Sequence, residues 1–215
     1  MSDILFHGYW RSSAAYRVRI ALNLKGLDYQ EVDHDLRTGA QRDPAYTAIA
    51  PAGLVPALEH DRHAYVQSLA ILEWLDERWP EPALLPKGLD ERATVRGMAL
   101  TIAADIHPLN NLRILKYLKN ELGQPQERID TWIAHWIQEG FAALEVLVSR
   151  HGDGFAFGST PTIVDCFLVP QVFNAERFNV DLSAFPRIRA AAEAARALPA
   201  FAAAHPDRQP GAASA

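Results

Sequence analysis

The first eighty residues alternate short apolar runs with stretches of helical periodicity. Residues 4–6 form an apolar run that predicts a buried strand. Residues 14–25 carry apolar side chains along one helical face, and Gly26 ends that helix. Residues 29–32 predict a second strand, and residues 40–48 show a weaker helical pattern. A strand, a helix and a strand in this order imply a parallel strand pair with a right-handed crossover.

A β-hairpin and a further helix are predicted next. Residues 54–58 and 63–66 have the composition of strands, and the polar residues 60–62 form the turn between them. So short a connection implies an antiparallel pair. Residues 67–79 then place their leucines and a tryptophan on one helical face. The N-terminal region is therefore predicted to be a βαβ unit followed by a ββα unit.

Only helical patterns follow a proline-rich segment at residues 80–90. This segment is predicted to separate a small α/β domain, residues 1–82, from an all-helical domain, residues 88–208. The polar tail from residue 206 is predicted to fray. The helical patterns cover residues 90–120, 125–150, 162–178 and 185–197.

Charge and hydropathy limit the partners of the chain. It has 215 residues and a formal net charge of -5, and its basic residues are scattered, which argues against nucleic acid. No stretch approaches the ~20 apolar residues of a membrane helix, which argues against a membrane partner. Residues 1–3 do not begin a signal-peptide pattern, and Cys166 is the single cysteine. These features predict a soluble, cytoplasmic protein.

Three further features are interpreted as structural. Thr162 and Asp165 have the spacing of a capping box, which stabilises a helix start. Cys166 lies in an apolar helical stretch, where a small core residue is expected. His60 and His63 have a spacing that metal ligands use, but they lie in a predicted turn without other evident ligands. No metal site is predicted.

Arg11, Ser12 and Ser13 stand where the first strand gives way to the first helix. A serine at this position caps the helix when its hydroxyl accepts a hydrogen bond from a free backbone N–H. The same helix end, with free N–H groups and a positive dipole, stabilises a thiolate. The residues alone leave both interpretations open.

Six motifs occur in the order typical of the zeta class of the glutathione transferase superfamily, and the chain resembles that class over almost its whole length. The first motif resembles the signature Ser-Ser-Cys-x-Trp-Arg-Val-Arg-Ile-Ala-Leu. The resemblance implies an α/β plus all-α fold, with an N-terminal thioredoxin-like, glutathione-binding domain and a C-terminal helical-bundle, substrate-binding domain. It also implies a homodimer. The motifs are RSSAAYRVRIALNLKG, LVPAL, QSLAILEWL, DIHPLNNLRIL, TPTIVDCFLVPQV and NAERFNVDL.

The resemblance implies that the sulfur of glutathione lies at the Ser12–Ser13 junction. We expect Ser12 to be the principal hydroxyl and Ser13 the next, although the sequence does not separate the two. The resemblance also implies that Arg177 is a catalytic cation that meets a substrate carboxylate. Arg11 is either a solvated surface charge or a second catalytic cation, near the thiolate or the substrate, since arginine pairs bidentately with carboxylates. The signature has a cysteine where this chain has Ala14, so the junction contains no thiol. Two other arginines, at positions 17 and 19, lie inside the helix and are interpreted as structural, the first with a possible peripheral contact.

Further glutathione contacts follow from the resemblance. It implies a cis bond between Val55 and Pro56, which exposes the backbone of Val55 to the peptide part of glutathione. It implies that Gln67 and Ser68 bind the γ-glutamyl carboxylate at a helix start, although these two residues also suit a simple cap. It places Gln41 near the glycyl end.

His107, Asn111 and Arg113 complete the predicted cofactor-binding set. Their spacing of i, i+4 and i+6 puts them roughly on one helical face. Arg113 is also a third candidate for a substrate carboxylate. The alternative is a polar patch at an interface, with Pro108 starting or kinking a helix there.

The implied activity is cis–trans isomerisation of a double bond conjugated to carbonyl groups, with glutathione as cofactor and a small dicarboxylate as substrate. Maleylacetoacetate, from tyrosine degradation, is favoured over maleylpyruvate, from gentisate degradation. A transferase that conjugates glutathione to electrophiles is a third interpretation. A non-catalytic binding protein on the same fold is a fourth, which retention of Ser12, Gln67 and Ser68 disfavours.

Overall fold

The computed structural model describes residues 3–214, and their side chains through residue 212. The strands are β1 (Leu5–Gly8), β2 (Gln30–Asp33), β3 (Ala57–His60) and β4 (His63–Val66). The α-helices are α1 (Ser13–Leu24), α2 (Pro44–Ile49), α3 (Ser68–Arg78), α4 (Leu89–Leu100), α5 (Leu112–Asn120), α6 (Gln126–His151), α7 (Ile163–Arg177), α8 (Pro186–Arg196) and α9 (Pro199–Ala204).

The four strands form one mixed sheet in the order β2-β1-β3-β4. β1 and β2 are parallel, with Phe6 opposite Glu31, whereas β1 and β3 are antiparallel, with Phe6 opposite Leu58. β3 and β4 form the antiparallel hairpin. The predicted βαβ unit followed by a ββα unit is therefore confirmed.

The core of the sheet-containing unit lies where α1 and α3 pack together and where the inward side chains of β1 and β3 are covered. Phe6, Val18, Ile20, Leu72 and Leu75 have no exposed surface. Each such side chain contributes roughly 1.5–3 kcal/mol when it leaves water completely. This burial explains why the helical and alternating patterns of the sequence predicted these elements correctly.

Two compact units are present, one up to Leu84 together with residues from 196 onward, and one from Leu85 to Ala195. The predicted helical domain, 88–208, extends past the second unit. The reason is that α9 packs on α1, where the buried Arg19 donates from Nε to the Ala204 carbonyl at 3.3 Å.

The tail does not fray over the described residues 206–212, contrary to the prediction. Residues 206–208 form a 3₁₀ turn, and Pro206 is buried. Gly211 lies against Trp10, since a Cβ at position 211 would stand 2.8 Å from Trp10 Cδ1. Arg19 donates to the Trp10 carbonyl at 2.8 Å and to Glu31 Oε1 at 3.1 Å. This network confirms the structural interpretation of Arg19.

The helical unit contains a break between residues 100 and 112, of which the sequence gives only Pro108 as a sign. The pattern over residues 90–120 predicted one helix, but α4 ends at Leu100 and is followed by a π-helical stretch, Thr101–Ile106, and a 3₁₀ turn, His107–Asn110. Pro108 cannot donate the hydrogen bond that a continued α-helix requires. Ile106 packs so closely on α6 that a Cβ at Gly140 would overlap it.

The predicted capping box at the start of α7 is confirmed. Thr162 Oγ1 accepts from the Val164 N–H at 3.2 Å, and Asp165 Oδ2 accepts from the Thr162 N–H at 2.8 Å. Asp165 is fully buried, and its Oδ1 also accepts from the Ala156 N–H at 2.9 Å. Cys166 has no exposed surface, as expected of a core residue.

Asp165→Ala is expected to lower the free energy of unfolding by about 3 kcal/mol, because it leaves buried backbone donors without an acceptor. Urea unfolding of the purified protein measures the loss. Asp181→Ala is the matched control, since the exposed Asp181 caps the Ser183 N–H at 2.9 Å. Its loss should be much smaller. Equal losses for the two variants would contradict the structural role of the buried box.

Burial also raises the pKa of Asp165 from its ordinary value of 3.8 to about 6, although its hydrogen bonds lower it. The folded pKa lies above the unfolded one, so the associated stabilisation is complete below the ordinary pKa and is lost as the pH rises through about 6. Relative to Asp165→Asn, which does not titrate, the wild type should therefore lose stability across this range. A parallel pH dependence of the two proteins would contradict the shift.

No helix within residues 3–214 is long and apolar enough to span a membrane. The same residues contain no group of three or more histidine, cysteine, aspartate and glutamate side chains that could hold a metal ion. His60 Nδ1 lies 3.3 Å from Asp61 Oδ2, and His63 Nδ1 lies 3.0 Å from the Asp61 carbonyl oxygen.

Candidate functional site

The strand-to-helix junction places Ser12 at the N-cap of α1. Its backbone is extended, with φ -68° and ψ 120°, and its Oγ accepts from the Ala15 N–H at 3.2 Å. A hydroxyl that accepts one hydrogen bond still has its own proton to donate. Ser12 is half-buried and Ser13 is buried, with 8% of its surface exposed. Capping and donation to a ligand are therefore compatible at Ser12, and Ser12 is the more accessible of the two.

Arg11 precedes the cap and has a defined neighbour. Its Cζ lies 5.2 Å from the centre of the Trp10 ring, a distance typical of a cation–π contact. The backbone N–H of Trp10 in turn donates to Asp33 Oδ1 at 3.2 Å. Asp33 and Trp10 thus fix the loop that carries Arg11 and Ser12. No local sequence pattern indicated this support, because Asp33 lies on the neighbouring strand.

The bond between Val55 and Pro56 is cis, as predicted. The ladder of β3 begins at Ala57, so it does not use the N–H and C=O groups of Val55. The preceding residue is held from α2, since the Tyr46 hydroxyl donates to the Leu54 carbonyl at 2.7 Å. The backbone of Val55 therefore lies outside the sheet in a loop that a side-chain hydrogen bond supports.

Three titratable side chains form a hydrogen-bonded chain beside Tyr46. His7 Nε2 lies 2.8 Å from Glu59 Oε1, and His7 Nδ1 lies 3.0 Å from His34 Nε2. The His34 ring lies 4.1 Å from the Tyr46 ring, centre to centre. Burial, followed by the neighbouring His7, lowers the pKa of His34. His34 is thus part of the contacts that support Tyr46 and α2, which no local sequence pattern indicated.

Gln67 and Ser68 begin α3 with an unusual backbone. Gln67 is exposed and has φ 71°, in the left-handed region that costs a non-glycine residue free energy. Ser68 is buried, and its Oγ accepts from Arg17 Nη1 at 3.1 Å. Arg17 is itself 2% exposed, so it is a buried partner of Ser68, in agreement with its structural interpretation.

Gln41 lies in a short 3₁₀ turn, Ala40–Arg42, next to Gly53. Its Oε1 is buried and has no hydrogen-bond partner in the structure. A Cβ at Gly53 would stand 3.0 Å from the Gln41 carbonyl oxygen, so the two segments approach closely. Rotation of the amide would present its nitrogen, which is a donor, in place of the oxygen. The role of Gln41 stays a prediction.

The residues predicted on one helical face of the second unit do not share one helix. His107 lies in the 3₁₀ turn, and Asn111 has extended backbone, with φ -68° and ψ 144°. Asn111 is the N-cap of α5, and its Oδ1 accepts from the Arg113 N–H at 3.1 Å. The helical-face prediction is therefore wrong, because Pro108 and the cap interrupt the helix. Pro108 does start a new turn here, whereas the alternative interpretation of a polar patch at an interface stays a prediction.

Asn110, which the sequence did not single out, is buried in this 3₁₀ turn with 6% of its surface exposed. Neither end of its side-chain amide has a hydrogen-bond partner among the described residues. An unsatisfied buried polar group costs about 1–3 kcal/mol, so it is typical of a site that a ligand or water completes.

Arg177 is the last residue of α7 and lies in the second unit. Its Nη2 donates to Asn174 Oδ1 at 2.8 Å, and its Cζ lies 4.3 Å from the centre of the Phe178 ring. The side chain is exposed. These contacts orient the guanidinium of Arg177 while part of it stays accessible.

The sequence profiles of two protein domains match the chain. Residues 11–78 match the glutathione S-transferase N-terminal domain, and residues 130–202 match the glutathione S-transferase C-terminal domain. The first match spans the junction, the cis proline and the start of α3. The second begins in α6 and includes α7 and α8.

Individual relatives agree with this assignment over nearly full length. The maleylacetoacetate isomerase of Pseudomonas aeruginosa is 49% identical over 94% of this chain and 95% of its own. A holo structure of maleylpyruvate isomerase, described as a bacterial zeta-class glutathione S-transferase, has a TM-score of 0.93 and 44% identity over 96% of this chain and 98% of its own. Maleylacetoacetate isomerase from Methylobacterium extorquens AM1, with bound malonate and glutathione, has a TM-score of 0.93 and 40% identity over 97% and 99%. The chain belongs to the glutathione S-transferase family, and within it to the zeta class.

Proposed function

We propose that this protein is a glutathione-dependent cis–trans isomerase that converts maleylacetoacetate to fumarylacetoacetate. The observation that carries the proposal is the half-buried Ser12 hydroxyl at the N-cap of α1, which accepts one hydrogen bond and keeps its proton. The relatives named above act as isomerases of maleyl compounds and include a structure with bound glutathione.

The groups of the N-terminal unit fit glutathione, a tripeptide with a thiol and two carboxylates. The N–H and C=O of Val55 lie outside the ladder and suit pairing with a peptide backbone. Ser68 and the first N–H groups of α3 suit the γ-glutamyl carboxylate, with the exposed Gln67 beside them. The amide of Gln41 suits the glycyl carboxylate.

Glutathione, when bound, supplies a thiolate that adds reversibly to an activated double bond and so allows rotation about it. The Ser12 hydroxyl would donate a hydrogen bond to the sulfur, and the positive end of α1 favours the charged thiolate form. Both effects lower the pKa of the thiol. The chain has Ala14 where the zeta-class signature has a cysteine, so the proposed reaction does not use a protein thiol at this position.

The substrate carboxylates require cations, and we propose Arg11 and Arg177 for them. Each guanidinium is oriented by an aromatic ring, Trp10 for the first and Phe178 for the second. Arginine forms bidentate hydrogen bonds with a carboxylate and stabilises negative charge that develops on an enolate oxygen. Arg113 is a further candidate, since it is exposed in the first turn of α5.

The proposal is tested by measuring kcat/KM for maleylacetoacetate and for maleylpyruvate side by side, with glutathione present. The second substrate is a specific alternative because the compared holo structure is a maleylpyruvate isomerase. A higher kcat/KM for maleylacetoacetate is expected. A higher value for maleylpyruvate would reassign the substrate, and activity only in conjugating electrophiles would make the protein a transferase.

Retention on immobilised glutathione separates these enzymes from a non-catalytic binding protein on the same fold. Because the chain has Ser12, Gln67 and Ser68, we expect the protein to bind immobilised glutathione and to elute with free glutathione. A protein that flows through unretained would contradict all three enzymatic proposals.

We also propose that the protein is a cytoplasmic homodimer. Family resemblance supports the dimer, and a single cysteine that is fully buried suits a reducing compartment. Light scattering after gel filtration is expected to give twice the chain mass of 23.9 kDa. A mass equal to one chain would contradict the dimer.

A further inference from the structure

We propose that Arg17 is a positioning residue for glutathione, which orients the Ser68 hydroxyl and places a buried positive charge behind the γ-glutamyl carboxylate. This inference rests on the proposed function, because it assumes that glutathione binds at the start of α3. It assigns a role to a residue inside the first helix that the sequence suggested was structural.

Arg17 and Ser68 form a buried hydrogen-bonded pair. Arg17 is 2% exposed and Ser68 is 6% exposed, and Arg17 Nη1 donates to Ser68 Oγ at 3.1 Å. Arginine is almost never so deeply buried unless it has a specific partner. The partner is a serine 51 positions away, at the first residue of α3.

The hydrogen bond from Arg17 limits the direction in which the Ser68 hydroxyl points its proton. A guanidinium only donates hydrogen bonds, so Ser68 Oγ has to accept from Arg17. The Ser68 proton is then directed elsewhere and is available to an acceptor. The backbone N–H groups of the first turn of α3 have no partner within the helix and also need an acceptor. A carboxylate can accept from these N–H groups and from the Ser68 hydroxyl.

Arg17 also places a positive charge in the interior next to Ser68. Burial lowers the pKa of Arg17 to about 9, which leaves the guanidinium protonated at neutral pH. A charge away from solvent interacts with a nearby anion more strongly than an exposed one does, because water screens it less. A carboxylate at Ser68 would therefore interact favourably with Arg17 without direct contact.

The competing explanation is that Arg17 only joins α1 to α3. A structural joint of this kind would affect every ligand of the site to the same extent. A positioning role would affect only ligands that carry the γ-glutamyl α-carboxylate. The two explanations are therefore distinguished by a ligand that lacks this group.

The test measures the affinity of Arg17→Met for glutathione and for γ-aminobutyryl-cysteinylglycine, which lacks that carboxylate, by calorimetry. Loss of a charged hydrogen-bonding partner is expected to weaken glutathione binding roughly 10- to 100-fold. Binding of the analogue should change by less than about threefold. Arg17→Lys, which keeps the charge, should lie between the wild type and Arg17→Met for glutathione.

Two further variants keep the test decisive. Arg37→Met removes an exposed arginine that pairs with Asp35 at 2.8 Å, and both affinities should stay at the wild-type values. If Arg17→Met does not fold, Ser68→Ala replaces it, since it removes the donor while Arg17 remains. Ser68→Ala should also weaken the binding of glutathione more than the binding of the analogue.

Equal losses for glutathione and the analogue, in Arg17→Met or in Ser68→Ala, would overturn the inference and make the pair a structural joint. Failure of the wild type to bind glutathione would instead contradict the proposed function. The two failures are therefore distinguishable.

Discussion

Ser12→Ala is expected to lower kcat/KM for isomerisation by roughly 100- to 1,000-fold, the effect of removing one preorganised donor from a charged reaction centre. The hydroxyl of Ser12 already caps α1 through the Ala15 N–H, so its proton is available for the thiolate sulfur. Loss of that donor should raise the pKa of the thiol of bound glutathione. Ultraviolet thiolate absorbance of the complex across a pH series measures this change.

Ser13→Ala is the matched control for this prediction. Ser13 is one residue further into α1 and is buried, so its removal should change the thiol pKa much less. Ser12→Thr keeps both a cap and a hydroxyl and should retain more activity than Ser12→Ala. A larger effect of Ser13→Ala on the thiol pKa would reverse the assignment of the principal hydroxyl.

Arg177→Ala is expected to lower kcat by roughly 100-fold while the Kd for glutathione stays within about threefold of the wild type. The guanidinium of Arg177 is exposed and is oriented by Asn174 and Phe178. We expect it to form a bidentate pair with a substrate carboxylate. Steady-state kinetics and calorimetry with glutathione measure the two effects separately.

Controls for Arg177 come from the same unit. Arg150→Ala removes an exposed arginine in the last turn of α6 and should leave both quantities unchanged. Asn174→Ala should lower kcat less than Arg177→Ala, because the guanidinium remains but loses one hydrogen bond. Parallel losses of glutathione affinity and turnover in Arg177→Ala would place Arg177 in the cofactor site instead.

The elements of the N-terminal unit were predictable because each has one buried face. The short apolar runs and the helical periodicity arise because residues such as Phe6, Val18 and Leu72 are buried. The break between α4 and α5 was not predictable in this way. Apolar side chains recur through residues 101–110 whether the turns are α, π or 3₁₀, and only Pro108 indicated a change.

The placement of the C-terminal segment also lay beyond the sequence pattern. Periodicity identifies the apolar face of a short helix such as α9, but it does not identify the surface that covers that face. α9 packs on α1 through contacts such as the one between Arg19 and Ala204, 185 positions apart. The predicted domain limits followed chain order and so could not include this return.

Part of the candidate site was predictable and part was not. The serine junction and the cis bond before Pro56 followed from the zeta-class resemblance. The pairing of Arg17 with Ser68 did not, since a charged residue within an amphipathic helix normally indicates its solvent face. The support of Leu54 by Tyr46 joins α2 to a loop and likewise leaves no local pattern.

The most direct test of the central claim follows isomerisation of maleylacetoacetate at a glutathione concentration well below that of the substrate. We expect many turnovers for each glutathione molecule, no reaction when glutathione is omitted, and full recovery of glutathione at the end. Consumption of one glutathione for each product molecule, or an equal rate without glutathione, would contradict the proposed isomerase.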